Sequence, residues 1–162
     1  MIERTLVILK PDCVQRQFCG EILSRFERVG LKVVGMKMVW PEGDFFKKHY
    51  YDVETRHGIE ILMGNVKAMT DGPVIAFVLE GVNSIENVRK MTGPTEPKQA
   101  MPGTIRGDYS HYTYALADKN KIAVKNIIHA SANAKDSEYE IGLWFSAQEL
   151  YSYKTVHEKH IL

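Results

Sequence analysis

The chain has 162 residues, long enough for one domain with its own core. Hydrophobic residues make up 44% and charged residues 25%, ordinary for a globular protein, and the formal net charge is +1. That balance excludes a polybasic field that would draw the chain onto nucleic acid or a membrane surface, so any basic site must be gathered locally. The two cysteines, Cys13 and Cys19, lack metal-site spacing and are too few for a disulfide framework, which predicts a reduced, cytoplasmic protein. Nothing approaches a membrane span, and the Thr5 to Leu9 run is too short for a signal sequence.

Glu3 to Leu9 reads as a buried strand, because its apolar residues are continuous rather than alternating. Lys10 stands where that strand stops, and Pro11-Asp12 opens a turn or a helix. Gly20 to Val29 is amphipathic, and Gly30 follows it as a cap. Leu31 to Val39 is a second strand. A helix holding Phe45, Phe46, His49 and Tyr50 follows the Pro41 to Asp44 turn, and another spans Ile59 to Met69. Val74 to Leu79 is a third strand. A helix then begins at Asn83 or Ser84 and carries Arg89 on its last turn. Gly93 to Asp108 holds three prolines and is expected to be a long ordered loop, a kind of segment that is often functional. Tyr109 to Lys125 alternates weakly around Asp118-Lys119-Asn120 and predicts an inserted hairpin. Asn126 to His129 is the fourth strand, with Ile127 and Ile128 pinning its end. Asp136 to Ile141 is helical, and Ser146 with Glu149 forms a capping box. This order suits a ferredoxin-like α/β sandwich, an antiparallel four-stranded sheet covered by helices.

His129 is the residue on which the functional reading turns. Imidazole is the side chain that serves as a neutral nucleophile near neutral pH and as an activated leaving group afterwards. A lone histidine is usually a surface or core residue, so its context must decide. Four ordered pieces supply that context: Leu9-Lys10-Pro11-Asp12, Pro102 to Asp108 with Arg106, Asn126 to Ser131, and Glu140 to Phe145. Together they resemble the nucleoside diphosphate kinase family, over essentially the whole chain.

The resemblance implies transfer of the terminal phosphate of a nucleoside triphosphate to a nucleoside diphosphate, by a ping-pong path through phosphohistidine at His129. Glu140 matches the carboxylate that steers the imidazole, and Ser131 the serine beside it. Lys10, Arg89 and Arg106 match the phosphate cations, Tyr50 and Thr95 the hydroxyl donors, and Asn126 the residue on the sugar. Arginine suits forked contacts to phosphate oxygens, and lysine a point charge. Magnesium is expected to arrive on the nucleotide's phosphates, with no dedicated protein ligands. A homo-oligomer, hexamer or tetramer built from a common dimer, is implied too. The competing reading is a catalytically weak regulatory protein that binds nucleotide or nucleic acid on the same fold.

Some positions depart from the family pattern. Cys13 stands where glycine is usual, and Ala132 where aspartate is usual. The base-stacking phenylalanine has no clear counterpart in a segment slightly longer than usual. Anchoring on Arg56 puts Gly58 there, and anchoring on Lys67 puts Ile61 there. Val124 or Ile122, from the inserted segment, is expected across the slot. An aliphatic clamp reads the flat face of a base, so broad base acceptance follows.

Overall fold

The computed structural model describes residues 1–156 and 158–161. Strand β1 (Ile2–Leu9) leads through short helix α1 (Pro11–Gln15) into α2 (Cys19–Arg28) and β2 (Lys32–Val39). Helices α3 (Gly43–His49), α4 (Val53–His57) and α5 (Ile59–Met69) precede β3 (Val74–Val82) and α6 (Ser84–Thr92). Helices α7 (Ile105–Tyr109) and α8 (Tyr114–Asn120) lead to β4 (Ile128–Ala130) and α9 (Ala134–Trp144).

The strands form one antiparallel sheet in the order β2-β3-β1-β4. Strand β1 is interior, which explains its unbroken apolar run: Leu6 and Ile8 enter one core, and Val7 and Leu9 the other. The first core joins them to Phe46, Val66, Val74 and Trp144, so α3, α5 and α9 cover that face. The second holds Ile22, Phe26, Phe77, Val88 and Ile105, from α2, β3, α6 and α7. Each fully buried Leu, Ile or Phe contributes about 1.5–3 kcal/mol of transfer free energy, so this double-sided burial makes β1 the rigid base of the sheet. The expected ferredoxin-like sandwich is the architecture observed.

Two stretches differ from expectation. The segment 109–125 is not a hairpin. Thr113 Oγ1 accepts the Leu116 N–H at 3.1 Å, which caps α8, and Lys121 at φ 51° ends it. The Asp118-Lys119-Asn120 run taken for a turn is the last turn of that helix. The long loop after Gly93 is also more regular than expected, since it contains a 3-10 turn at Pro97–Gln99 as well as α7. The Ser146–Glu149 capping box is present, around a 3-10 turn.

Candidate active site

The site is assembled where β1 and β4 end. Ile8 pairs with His129 across the two strands, and β1 stops at Leu9. Lys10 comes next, because Pro11 lacks the N–H needed to extend a ladder and instead starts α1. The Lys10 N–H closes the strand end on the Ile127 carbonyl at 2.9 Å.

The approach to β4 is strained. Ile127 was expected to be an extended strand residue, but its φ is +59°. The Ile128 N–H bonds the Asn126 carbonyl at 2.7 Å, so Ile127 is the centre of a three-residue turn. A β-branched residue in that region is an outlier that the surroundings must hold in place. They do: Ile127 is fully buried, its N–H donates to Asp12 Oδ2 at 3.2 Å, and its carbonyl takes the Lys10 bond. The turn sends Asn126 toward the Lys10 side while β4 carries His129 along the sheet.

His129 and Glu140 meet at 2.9 Å, between imidazole Nε2 and carboxylate Oε1. The other oxygen, Oε2, accepts the Ser131 hydroxyl at 2.5 Å. Ser131 Oγ in turn accepts the Leu6 N–H at 3.3 Å, which ties the group back to β1. Both Glu140 oxygens are therefore used, one on each partner. A carboxylate accepts and does not donate, so the Nε2 of neutral His129 holds the proton and Nδ1 keeps a free lone pair.

Cations and polar groups gather around this centre. Lys10 Nζ donates to Asn126 Oδ1 at 2.7 Å, and Asn126 Nδ2 donates to the Thr95 carbonyl at 2.9 Å. Arg106 is buried and grips two carbonyls, Gly93 at 2.8 Å and Ile128 at 2.7 Å, the second belonging to the residue before His129. Its Nε–H meets no acceptor among the described residues. Gly93 reaches this position at φ +84°, and a Cβ there would lie 2.8 Å from Thr104 Oγ1. Arg89, on the last turn of α6, is near enough for its charge to repel that of Arg106. Burial first, and then the Arg89 charge, lower the Arg106 pKa to about 10. Burial lowers the Lys10 pKa to about 8; Asp12 opposes this and Arg106 adds to it. Burial pushes the Tyr50 phenol up, with Glu140 adding to the rise, so its O–H remains a proton donor. Unlike-charged partners are few here, so the cluster is built to receive anions.

A cleft opens beside these groups. Its floor includes Lys10 and Tyr50. One wall is the α5 surface of Gly64, Asn65 and Ala68, and the other is the 121–125 segment with Ile122 and Val124. Ile122 and Val124 both line this cleft. Ile61 does not: it is exposed and does not line the cleft. The lining of α5 begins one turn later, at Gly64.

Sequence reasoning overlooked three contributors. Asp12 was read only as a helix opener, yet it pins the strained turn. His49 was read as a helix residue and Trp144 as part of a motif, but His49 packs against His129 and Trp144 against His49. Nothing in spacing or composition separates such residues from ordinary core.

Residues 3–150 match the family model described as nucleoside diphosphate kinase. The chain belongs to the nucleoside diphosphate kinase family. It is similar to the nucleoside diphosphate kinase of Borreliella burgdorferi, 46% identical over 156 residues, which cover 95% of this chain and 93% of that protein. The enzyme of Pyrococcus furiosus is 47% identical over 152 residues, covering 94% of this chain and 88% of its own. The fold is similar to a solved structure of the Borrelia burgdorferi nucleoside diphosphate kinase, a transition-state mimic with bound vanadate and ADP. The TM-score is 0.96 and the identity 44%, over 99% of this chain and 96% of that one. A nucleoside diphosphate kinase from Pyrobaculum aerophilum superposes with a TM-score of 0.85 at 36% identity, over 94% of this chain and all of its own.

Proposed function

We propose that the chain moves the terminal phosphoryl group of a nucleoside triphosphate to a nucleoside diphosphate in two half-reactions at one cleft. The lone pair on His129 Nδ1 attacks the terminal phosphorus, the bond to the bridging oxygen breaks, and the diphosphate leaves with those electrons. A second diphosphate then takes the group by the reverse step. Glu140 carries the reading, because its bond to Nε2 leaves Nδ1 as the nucleophile and stabilises the positive charge that the ring gains on phosphorylation. Ser131 holds the carboxylate in place.

Phosphoryl transfer is mostly positioning and charge stabilisation, which this cluster is suited to supply. Lys10, Arg89 and Arg106 take phosphate oxygens, with Tyr50 and Thr95 as hydroxyl donors. Asn126, tied to Lys10 at 2.7 Å, takes the sugar hydroxyls. The base lies between α5 and the 121–125 segment, with Val124 as an apolar contact.

Magnesium fits as a passenger of the nucleotide. Asp12 is engaged by the Ile127 N–H, Glu140 by His129 and Ser131, and Ala132 offers no ligand. Phosphate oxygens and water are left to hold the ion. When bound, it neutralises charge on the transferring phosphates.

A homo-oligomer, hexamer or tetramer of a common dimer, completes the reading. Strand β2 lies at the sheet edge, with Met38 57% exposed and Trp40, just past its end, 63% exposed, a surface suited to a second copy of the chain. No helix among the described residues is long and apolar enough to cross a membrane. A cytoplasmic location is the placement we propose. The regulatory alternative is not favoured: Lys10, Asn126 and Arg106 gather at the strand end that carries a histidine oriented by Glu140, which supports the kinase reading.

Incubation with terminally labelled ATP and no acceptor tests the proposal. Acid-labile, base-stable label on the wild type, absent in His129→Ala and discharged by any nucleoside diphosphate, is the expected result. Label that persists in His129→Ala would overturn it.

A further inference from the structure

His49 lies at the end of α3, is 3% exposed, and has no part in the chemistry so far described. Its ring centroid is 4.6 Å from that of His129, and the two planes stand at 76°. On its other side the Trp144 indole N–H donates to His49 Nδ1 at 3.2 Å. Indole only donates, so Nδ1 must be an acceptor and the proton must sit on Nε2. Burial holds the His49 pKa well below the ordinary value, and the neighbouring His129 and Lys10 lower it further, so the ring is neutral.

That tautomer closes two other readings. His49, His129 and Glu140 each bring a ligand atom within 4.8 Å of the others, a spacing that invites a metal ion. With Nδ1 accepting from Trp144 and Nε2 protonated, His49 has no lone pair left to give. For the same reason it cannot compete with His129 as a phosphoryl acceptor.

What remains is orientation. A single bond from Glu140 to Nε2 does not fix a histidine ring. The torsion that turns an imidazole is soft and broad, and Nε2 lies close to the axis of that turn. The ring can swing, carrying Nδ1 off line, while the Glu140 bond survives. A rigid flat neighbour set nearly perpendicular to the ring prevents that swing. His49 is such a neighbour, and Trp144, itself packed at 90° against both His49 and Phe45, prevents His49 from turning.

We infer that His49 is a positioning residue for phosphoryl transfer, a neutral ring clamped by Trp144 that holds the plane of His129 so that Nδ1 stays in line with the entering phosphorus. The inference rests on the proposed kinase reading. It predicts a loss in the chemical step and not in nucleotide binding, and it predicts that a flat apolar ring can substitute.

The experiment measures single-turnover phosphorylation of the full chain by ATP in rapid quench, together with ADP affinity. His49→Ala should slow phosphorylation about a hundredfold, the scale of a small misplacement of reacting groups, with ADP affinity within about twofold of wild type. His49→Phe should recover the rate to within about fivefold, because the contact is supplied by shape. Should the alanine variant fail to fold, His49→Gln fills the space without rigidity and should be slowed about tenfold. Wild-type rates in the folded Ala or Gln variant would overturn the inference. So would a loss of ADP affinity that matches the loss of rate, or a phenylalanine variant as slow as alanine. If wild type itself took up no phosphate, the kinase reading would fail, an outcome distinct from these.

Discussion

Glu140 uses both carboxylate oxygens, Oε1 on His129 Nε2 at 2.9 Å and Oε2 on the Ser131 hydroxyl at 2.5 Å. The arrangement sets the His129 tautomer through one bond and the carboxylate's own angle through the other. Glu140→Gln keeps the shape but loses the charge that balances a phosphorylated ring. A fall in kcat of about 10–100-fold is expected, the scale seen when an orienting partner of a functional histidine is removed, with KM little changed. Ser131→Ala leaves the carboxylate tethered, among the described residues, by His129 alone and should cost less than Glu140→Gln. Steady-state kinetics of both variants check the order.

The Lys10 ammonium is held down to about 8 by burial. Loss of its proton removes a phosphate contact, so kcat/KM should fall as pH rises through about 8 in the free enzyme. Bound phosphates favour the charged form, so the same limb in kcat should lie at higher pH. The stability sign runs the other way. The folded chain holds this proton less tightly than the unfolded one, so Lys10 adds stability as pH climbs from about 8 toward 10.5. A pH profile of kcat/KM without an alkaline limb in Lys10→Met, and with one in wild type, is the expected pair of results.

Arg106 is a structural cation as well as one of the proposed phosphate contacts. Its bonds to the Gly93 and Ile128 carbonyls tie the loop to the strand bearing His129. Arg106→Lys cannot span both acceptors, and buried carbonyls left unpaired cost about 1–3 kcal/mol each. A lowered denaturation midpoint together with a lowered kcat/KM is expected; loss of activity at unchanged stability would show that the two carbonyl bonds carry nothing.

Ile127 is fully buried at φ +59°. Ile127→Gly loses core contact worth about 2–5 kcal/mol but releases backbone strain of about 1–3 kcal/mol. Ile128→Gly, one residue on in the strand, has no such offset. Urea denaturation should therefore find Ile127→Gly the milder of the two.

At Gly64 the two walls of the cleft come close, since a Cβ there would lie 3.9 Å from the Ala123 backbone nitrogen. Gly64→Val places its branches toward the 121–125 wall. KM should rise for every nucleotide while kcat holds, because the contact is remote from phosphorus.

Much of this was legible in the chain. The buried run at Leu6 to Leu9 marked an interior strand because only a strand covered on both faces can be apolar throughout. The gathering of Lys10, Arg106, Asn126, His129 and Glu140 at the strand ends was legible because each stands in a long ordered motif. The failures have physical causes. Ile127 read as strand because β-branching favours extended backbone, and only the buried bonds from Asp12 and Lys10 override it. The 109–125 segment read as a hairpin because its polar center looked like a turn, while the Thr113 cap that starts α8 went unweighed. Ile61 was placed by counting from an anchor, which cannot show how far along α5 the cleft begins. His49 was invisible because its role depends on two rings brought in from distant parts of the chain.

Which nitrogen carries the phosphate is the sharpest test of the whole account. Protein labelled with 15N in histidine, phosphorylated by ATP and examined by 31P–15N correlation, should show phosphorus bonded to Nδ1 of His129, with a proton retained on Nε2. Phosphorus on Nε2, or on any other residue, would contradict the geometry set by Glu140.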